Sequence, residues 1–316
     1  MLGLLKDKKV IVTGGAGFIG SHIVDALVNL DAKVTVVDNL LTGKLGNIKH
    51  NLDKINFIED DFASDQVLNG LADSDYICHQ AALRSVPKSV EAPFDYHHVN
   101  ATGTLKLFLK AKEAGTKRIV FASSSSIYGD RFDFPEKEGD LPKPISPYAA
   151  SKLICETYAY IFTQIYNLEV VGLRYFNVFG PRQSLDNQYA VVVPKFINCL
   201  LNNESPPIYG DGEQERDFTY IDNVVNANLL ALVFPDIGGE VFNIASANAQ
   251  SVNILFSNLQ EIIKSKVSPI YLEPRLGDVK KTEADIEKAK KLLKWEPKID
   301  FNQGLGKTVD WFRENN

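Results

Sequence analysis

The 316-residue chain has no uninterrupted apolar run long enough to cross a bilayer, although hydrophobic residues make up 45% of it. A membrane-spanning reading falls away. The opening residues Met1-Leu2-Gly3-Leu4-Leu5-Lys6-Asp7 lack both a basic start and an apolar stretch of export length, so a cytoplasmic protein is expected. Cysteine is scarce. Cys78, Cys155 and Cys199 are odd in number and far apart, which argues against a disulfide framework or a paired-thiol metal site and for three small buried residues. The adjacent His97 and His98 would point in different directions on a helix, with no third ligand at helical spacing, so no metal is expected. Positive charge is short too: 34 Lys and Arg against 40 Asp and Glu give a net charge of -6, which leaves no basic face for nucleic acid but permits a locally basic pocket for an anionic small molecule. Repeats, low-complexity tracts and linkers rich in Pro, Gly and Ser are missing, so any two lobes should pack tightly around a shared cleft.

What is present is a rhythm. Short β-branched runs at Val10 to Thr13, Val34 to Asp38, Ile55 to Ile58, Tyr76 to His79, Arg118 to Ser123 and Glu169 to Tyr175 alternate with helical stretches. Helices are expected at Phe18 to Leu30, Ala92 to Ala114 and Tyr148 to Tyr166, the last entered through Pro147. The pattern is that of an α/β protein with a doubly wound parallel sheet, the Rossmann architecture. Past Asn177 it breaks into turn-rich pieces such as Gly210-Asp211-Gly212 and Gly238-Gly239, which suits a smaller, irregular α/β lobe.

Gly14, Gly17 and Gly20 follow the first strand and open the first helix at the spacing G-x-x-G-x-x-G. Gly14 can turn sharply, Gly17 lets a pyrophosphate approach backbone amides at the helix N-terminus, and Gly20 lets helix and sheet pack closely. Asp38 ends the second strand, where a carboxylate accepts both ribose hydroxyls of an adenosine and repels the extra phosphate of NADP, so NAD is the expected cofactor. After the third strand Asp61 could receive the adenine amino group, with Glu59 and Asp60 crowding it and the choice among the three left open.

Tyr148 and Lys152 stand four apart at the start of a helix, hence on one face. A phenol titrating near 10 in water needs a fixed positive charge to act as a base near neutrality, and Lys152 together with a nicotinamide cation could supply it. The run Ser123-Ser124-Ser125-Ser126 begins at the C-terminal end of a strand, where open α/β sheets place their ligands.

With these segments, His79-Gln80-Ala81-Ala82 and Leu173-Arg174-Tyr175-Phe176-Asn177-Val178-Phe179-Gly180-Pro181-Arg182, the sequence resembles the extended short-chain dehydrogenases that include UDP-galactose and UDP-N-acetylglucosamine 4-epimerases, over almost its whole length. The resemblance implies a catalytic set of Ser124, Tyr148 and Lys152. It implies NAD contacts from Gly14, Gly17, Phe18, Ile19, Asp38, Asn39, Gly43, Asp61, Phe62, Gln80, Ala81, Ala82, Arg84, Asn100, Tyr148, Lys152 and Phe176. It further implies an NAD-binding Rossmann domain of residues 1–176 plus roughly 217–246, a UDP-sugar-binding lobe of 177–216 and 247–316, and a homodimer joined through a four-helix interface.

Several reactions share such a scaffold. Dehydratases and decarboxylases of the family carry an acid two positions after the catalytic Ser or Thr, and here that position is Ser126; UDP-glucuronate 4-epimerases resemble a Thr-containing form of Tyr175-Phe176-Asn177. Simple oxidation and re-reduction, a 4-epimerisation, is therefore the expected chemistry, against the alternatives of a decarboxylase, a dehydratase, a glucuronate epimerase or a non-enzymatic NAD sensor. For the UDP-sugar the resemblance implies Ser85, Val86, Ser124, Ser125 and Ser126 near the sugar, Asn177, Arg216 and Arg275 on the diphosphate, Asp278 on the ribose, and Val191, Val192, Ile208 and Tyr209 around the uracil. A small residue, Thr282, stands where relatives restricted to UDP-glucose carry a tyrosine. Room for an N-acetyl group is implied, with the plain hexoses also accepted.

Overall fold

In the computed structural model, residues 1–71, 74–185, 192–274 and 279–315 are described. The six expected strands form, within one residue at each end: β1 (Lys9–Thr13), β2 (Lys33–Val37), β3 (Ile55–Ile58), β4 (Tyr76–His79), β5 (Arg118–Ser124) and β6 (Glu169–Tyr175). Shorter strands follow as β7 (Val178–Phe179), β8 (Pro207–Tyr209), β9 (Glu215–Asp217), β10 (Thr219–Tyr220), β11 (Val241–Ile244), β12 (Ala249–Ser251) and β13 (Ile270–Leu272). The unforeseen β11 joins the large sheet beside β6, giving a seven-stranded parallel order β11-β6-β5-β4-β1-β2-β3. Its four residues carry Asn243 in their middle, too short and too polar a run to stand out as a buried strand. The minor pairs β7 with β10, β8 with β13 and β9 with β12 form separate two-stranded sheets beside the large one.

Because both faces of the sheet are covered, its strands are buried almost throughout, and alternate side chains serve opposite layers. Val10 and Val12 of β1 pack toward α1 (Phe18–Asn29), whereas Ile11 packs on the other face, with a cluster that includes Phe108 and Phe162. Between them in the chain lie α2 (Asp65–Asn69), α3 (Val86–Glu91), α4 (Pro93–Tyr96), α5 (Thr104–Ala114) and α6 (Pro147–Tyr166). The remaining helices are α7 (Val192–Leu201), α8 (Ile221–Val233), α9 (Val252–Ile263) and α10 (Phe301–Asn315). The α1 layer runs without a break through α8 into α7, α9 and α10, so the sheet and the C-terminal helices share one apolar cluster.

Two expectations need correction. The helix expected over Ala92 to Ala114 is three pieces, with a π-helical segment at His97–Gly103 between α4 and α5. That wide turn carries Asn100 inward, where its side chain accepts from Leu83 N (2.8 Å) and donates to Leu83 O (2.9 Å) and Ser151 Oγ (3.1 Å). Cys78 and Cys155 are buried as expected, but Cys199 is only half-buried.

The order of strands reverses between β1 and β4, and the register aligns Thr13 with both Val37 and His79, and Ser124 with Tyr175. Every strand therefore ends on the same edge, and the crevice where a parallel sheet receives ligands opens there.

Candidate active site

A cavity of about 900 Å³ occupies that edge. At its floor Gly14 leaves β1 with a φ of +68°, and a Cβ there would lie 2.7 Å from Ala81 N, so the β1 and β4 loops meet only because residue 14 has no side chain. Gly17 caps α1 in extended conformation without a side-chain acceptor, and Phe18, Ile19 and Gly20 line the cavity beside it. Uncapped first-turn N–H groups at a helix N-terminus suit an anionic group such as a diphosphate.

Asp38 follows β2 and turns its carboxylate into the glycine loop, accepting from Ala16 N and Leu40 N, both at 2.9 Å. Burial pushes its pKa up, while the N–H groups of Leu40, Ala16 and Gly17 hold it down. Gly43 is not among the residues lining the cavity; a Cβ there would stand 2.7 Å from Asp38 Oδ1, so any side chain at 43 would press on the carboxylate. Asn39, Asp60, Asp61 and Phe62 reach the cavity, and Glu59 does not. Asp60 is used at both oxygens, by Asp61 N and Ser64 Oγ, whereas Asp61 accepts only from Ala63 N through Oδ1 (2.7 Å), which leaves its second oxygen without a partner among the described residues.

Gln80, Ala81, Ala82, Arg84 and Val86 continue the wall from β4. Beneath them His79 is buried between Thr13 Oγ1 (2.6 Å) and Thr104 Oγ1 (3.0 Å), and desolvation, then the charge of Lys152, lowers its pKa to about 3. It is a neutral strut. Gln80 is held by Asn228 and Tyr175, with Tyr175 donating to Gln80 Oε1 (3.2 Å) and Gln80 Nε2 to Asn228 Oδ1 (3.2 Å).

The end of the cavity that holds the candidate catalytic residues is formed by β5 and α6. Ser146 caps α6 by accepting from Ala149 N (3.1 Å), Pro147 starts it, and Tyr148 and Lys152 occupy its first two turns on the cavity side. Burial raises the Tyr148 pKa, and a hydrogen bond from Ser124 followed by the charge of Arg84 opposes that rise. Lys152 Nζ lies 6.0 Å from the Tyr148 ring centroid and donates to Ala122 O (2.9 Å). One ammonium N–H is thus committed to the scaffold, and two remain for a ligand. Burial lowers the lysine's own pKa, against the pull of Cys155 and Glu156. Arg84 also acts on the phenol with its positive charge, a contribution that the sequence does not suggest.

The four serines do different work. Ser123 donates inward to Glu156 Oε1 (2.6 Å), which also pairs with Arg174; Ser124, Ser125 and Ser126 line the cavity. Ser126 bonds back to Ser124 Oγ through its N–H (3.2 Å) and its hydroxyl (2.9 Å).

A family model described as the NAD dependent epimerase/dehydratase family matches residues 10–245. The chain belongs to that family. The solved UDP-N-acetylglucosamine 4-epimerase from Methanobrevibacter ruminantium M1, in complex with UDP-N-acetylmuramic acid, is 44% identical with a TM-score of 0.95, over 98% of this chain and 100% of that one. A UDP-glucose 4-epimerase from Thermotoga maritima, with UDP-glucose, is 41% identical with a TM-score of 0.93, over 97% and 99% of the two chains. A UDP-N-acetyl-alpha-D-glucosaminuronate decarboxylase of Bacillus cytotoxicus is 32% identical over 97% of this chain and 98% of its own length, so the family spans more than one reaction.

Not every residue that the epimerase resemblance implies reaches the cavity. Phe176 is fully buried against Tyr128, because Tyr175 ends β6 facing the cavity and the next side chain turns to the opposite side. Asn100 is buried beneath Leu83, and Ser85 is the N-cap of α3, its Oγ accepting from Lys88 N. Asn177, at a φ of +30°, does line the cavity, and its Nδ2 donates to Thr282 Oγ1 (3.1 Å), which also accepts from Asp217 N (3.3 Å). Thr282 is buried, bonded to Asn177, and is not among the described residues that line the cavity. Val192, Ile208, Tyr209 and Arg216 belong to α7, β8 and β9 and are not among the residues that line the cavity. Val191, Arg275 and Asp278 lie outside the described residues.

Sequence reasoning missed another part of the wall, formed by Arg182, Gln183, Ser184 and Leu185 together with Trp311, Phe312 and Asn315 of α10. Arg182 stands in the motif that carries the family resemblance and could have been noticed there; α10 carries no local signal of the cavity.

Proposed function

We propose that this protein interconverts UDP-hexoses by NAD-dependent 4-epimerisation, acting on UDP-GlcNAc and UDP-GalNAc and also on UDP-Glc and UDP-Gal. The observation that carries the reading is the meeting of Ser124, Tyr148 and Lys152 on one cavity wall, with a serine at position 126 in place of an acid. The uncapped N-terminus of α1, Asp38 and the glycine-only approach of the β1 and β4 loops fit a dinucleotide in the same cavity. When bound, NAD supplies a hydride acceptor for carbon 4 of the sugar and gives the hydride back.

The protein's part is the proton and the geometry. Tyr148 takes the proton of the sugar 4-hydroxyl, Ser124 steadies the phenolate by donating to it, and the cations of Arg84 and Lys152 favour that charged form. Asn177 holds the diphosphate while the 4-keto sugar turns over, and Tyr148 then returns the proton on the other face. Val191, Val192, Ile208, Tyr209, Arg216, Arg275 and Asp278 belong to the uridine diphosphate side of this proposal. The division into a Rossmann domain and a UDP-sugar lobe, the cytoplasmic location and the homodimer belong to it as well. Exposed Phe94 of α4, Leu109 of α5, and Tyr160 and Ile165 of α6 support an apolar helical interface. Among the described residues no helix is long and apolar enough to cross a membrane.

The decarboxylase reading has a relative behind it and is separated by product. Purified protein is incubated separately with UDP-GlcNAc, UDP-Glc and UDP-GlcA, and products are identified by NMR. An isomer mixture from the neutral sugars is expected; carbon dioxide from UDP-GlcA without epimerisation would transfer the assignment to the decarboxylases. Tyr148→Phe should abolish interconversion with NAD still bound, and full activity in that variant would sink the scheme.

A further inference from the structure

We propose that Ser126 is a positioning residue for proton transfer: it fills the acceptor positions of Ser124, so that the one proton of Ser124 is directed at Tyr148. The inference rests on the reading of Tyr148 as the acid and base of the reaction. A serine hydroxyl has one donor and two acceptor positions. Ser124 is the N-cap of the 3-10 turn at Ser125–Tyr128, and its Oγ accepts from Ser126 N (3.2 Å) in that role. Its second acceptor position takes the Ser126 hydroxyl at 2.9 Å. The backbone bond would persist with any side chain at position 126, whereas the hydroxyl bond is specific to serine or threonine.

The turn is held firmly enough for this to matter. Ile127 and Tyr128 are fully buried, Tyr128 Oη donates to Asn243 Oδ1 (2.7 Å), and Gly129 N closes the turn on Ser126 O (3.2 Å). At Gly129, with a φ of +74°, a Cβ would collide with Lys143 O, so the chain reverses there only as glycine. Ser126 therefore cannot drift from Ser124. A hydroxyl that accepts a hydrogen bond becomes a stronger donor, so Ser124 with Ser126 bonded to it would stabilise a Tyr148 phenolate more than Ser124 alone. When Tyr148 carries its proton, that gain is smaller, and Ser126 thus acts mainly on the step in which the phenol is deprotonated. No bond is made or broken at Ser126.

The test compares Ser126→Ala with Ser126→Thr, which keeps the hydroxyl. In Ser126→Ala, kcat at neutral pH should fall about fivefold, the effect of one neutral hydrogen bond, with KM little changed. Its ascending pH limb should move to higher pH, so that most of the loss is recovered in alkali, and Ser126→Thr should keep the original limb. The phenolate of Tyr148 is followed independently by difference absorbance of the NAD-loaded protein without sugar, with Tyr148→Phe as the blank. An alkaline shift of that titration in Ser126→Ala supports the inference even if no UDP-sugar is turned over, in which case only the proposed activity fails. A titration and a pH limb unmoved in Ser126→Ala, or Ser126→Thr as slow as Ser126→Ala, would overturn it.

Discussion

Replacing Asp38 by Asn tests the cofactor half of the cavity in a way that separates folding from recognition. The carboxylate offers four lone-pair positions, and two are taken by Ala16 N and Leu40 N. An amide can accept from only one of these N–H groups with its oxygen and must turn its own NH₂ toward the other, leaving a donor facing a donor. For a buried donor that costs about 1–3 kcal/mol of stability. Losing the charge-assisted bonds to ribose hydroxyls should weaken NAD by about 1.5–3 kcal/mol, or about 10- to 150-fold. NADP should move the other way. A phosphate charge brought within about 4 Å of a carboxylate at an effective dielectric near 20 is opposed by about 4 kcal/mol, and the amide removes that repulsion. Isothermal titration of both dinucleotides against wild type and Asp38→Asn, with thermal melts alongside, reads all three effects. The preference for NAD over NADP should fall by at least about tenfold even after the lost stability is allowed for. An unchanged ratio, or a wild-type protein that already prefers NADP, would refute the assignment of Asp38.

Two further variants probe the second lobe and the seam between the two. Glu136 is buried, and desolvation, helped by Asp217 and Asp140 against the Glu283 N–H and Arg131, pushes its pKa from 4.5 up to about 8. Between those values the native protein keeps a proton that the unfolded chain has released, so stability falls as pH rises through that window, by up to about 1.4 kcal/mol per pH unit. In Glu136→Gln the slope should flatten, and denaturant midpoints at pH 5 and pH 8 should converge; equal slopes in both proteins would contradict the buried neutral acid. Thr282→Val keeps the volume but removes the acceptor of Asn177 Nδ2 and Asp217 N, so a loss of about 1–3 kcal/mol in stability and a raised KM for the UDP-sugar are expected. Thr282→Ser should restore both, and a KM unchanged in Thr282→Val would detach Asn177 from the substrate.

What could be read from the sequence is what the chain makes locally. The turn from Gly14 to Gly20 is contiguous, and so is the pair Tyr148 and Lys152, whose shared face follows from helical spacing alone. Long-range features were hidden for distinct reasons. Nothing near Trp311 or Asn315 indicates a cavity, because α10 reaches it only through the apolar cluster that it shares with α7 and α9. The break in the helix over Ala92 to Ala114 has no proline behind it; the π turn at His97–Gly103 follows a tertiary demand, the bonding of Asn100 to Leu83 and Ser151. The resemblance implies Phe176 beside the nicotinamide, whereas its side chain packs against Tyr128, on the face opposite Tyr175, because alternate strand residues face opposite ways. Thr282 is read from its position in the family alone, and neither its burial nor its bond to Asn177, 105 residues away in the chain, is announced by its neighbours in sequence.

Beside the serine run and α6 sits a buried ion pair whose energetic value alone does not explain it. Arg174 of β6 donates to Glu156 Oε1 (2.9 Å) and Oε2 (2.7 Å), and both side chains are almost wholly buried. Such a pair roughly breaks even against well-packed apolar residues, since the desolvation of two charges offsets their attraction. Its geometry gives a better reason for its presence. Glu156 lies one turn beyond Lys152 on α6, accepts from Ser123 at the end of β5, and receives Arg174 from β6, whose guanidinium also stacks over the ring of Tyr128 at 4.8 Å. One carboxylate therefore fixes the relative positions of two strands and one helix immediately below Ser124 and Tyr148. An apolar substitute could fill that volume, but it would have no directional hold on the Ser123 hydroxyl, and the serine run could shift against α6. The proposed proton transfer between Tyr148 and a sugar hydroxyl would depend on placement to within a fraction of an ångström. The ion pair is thus best understood as the fixed base on which the mobile hydrogens of Ser124, Ser126 and Tyr148 are set.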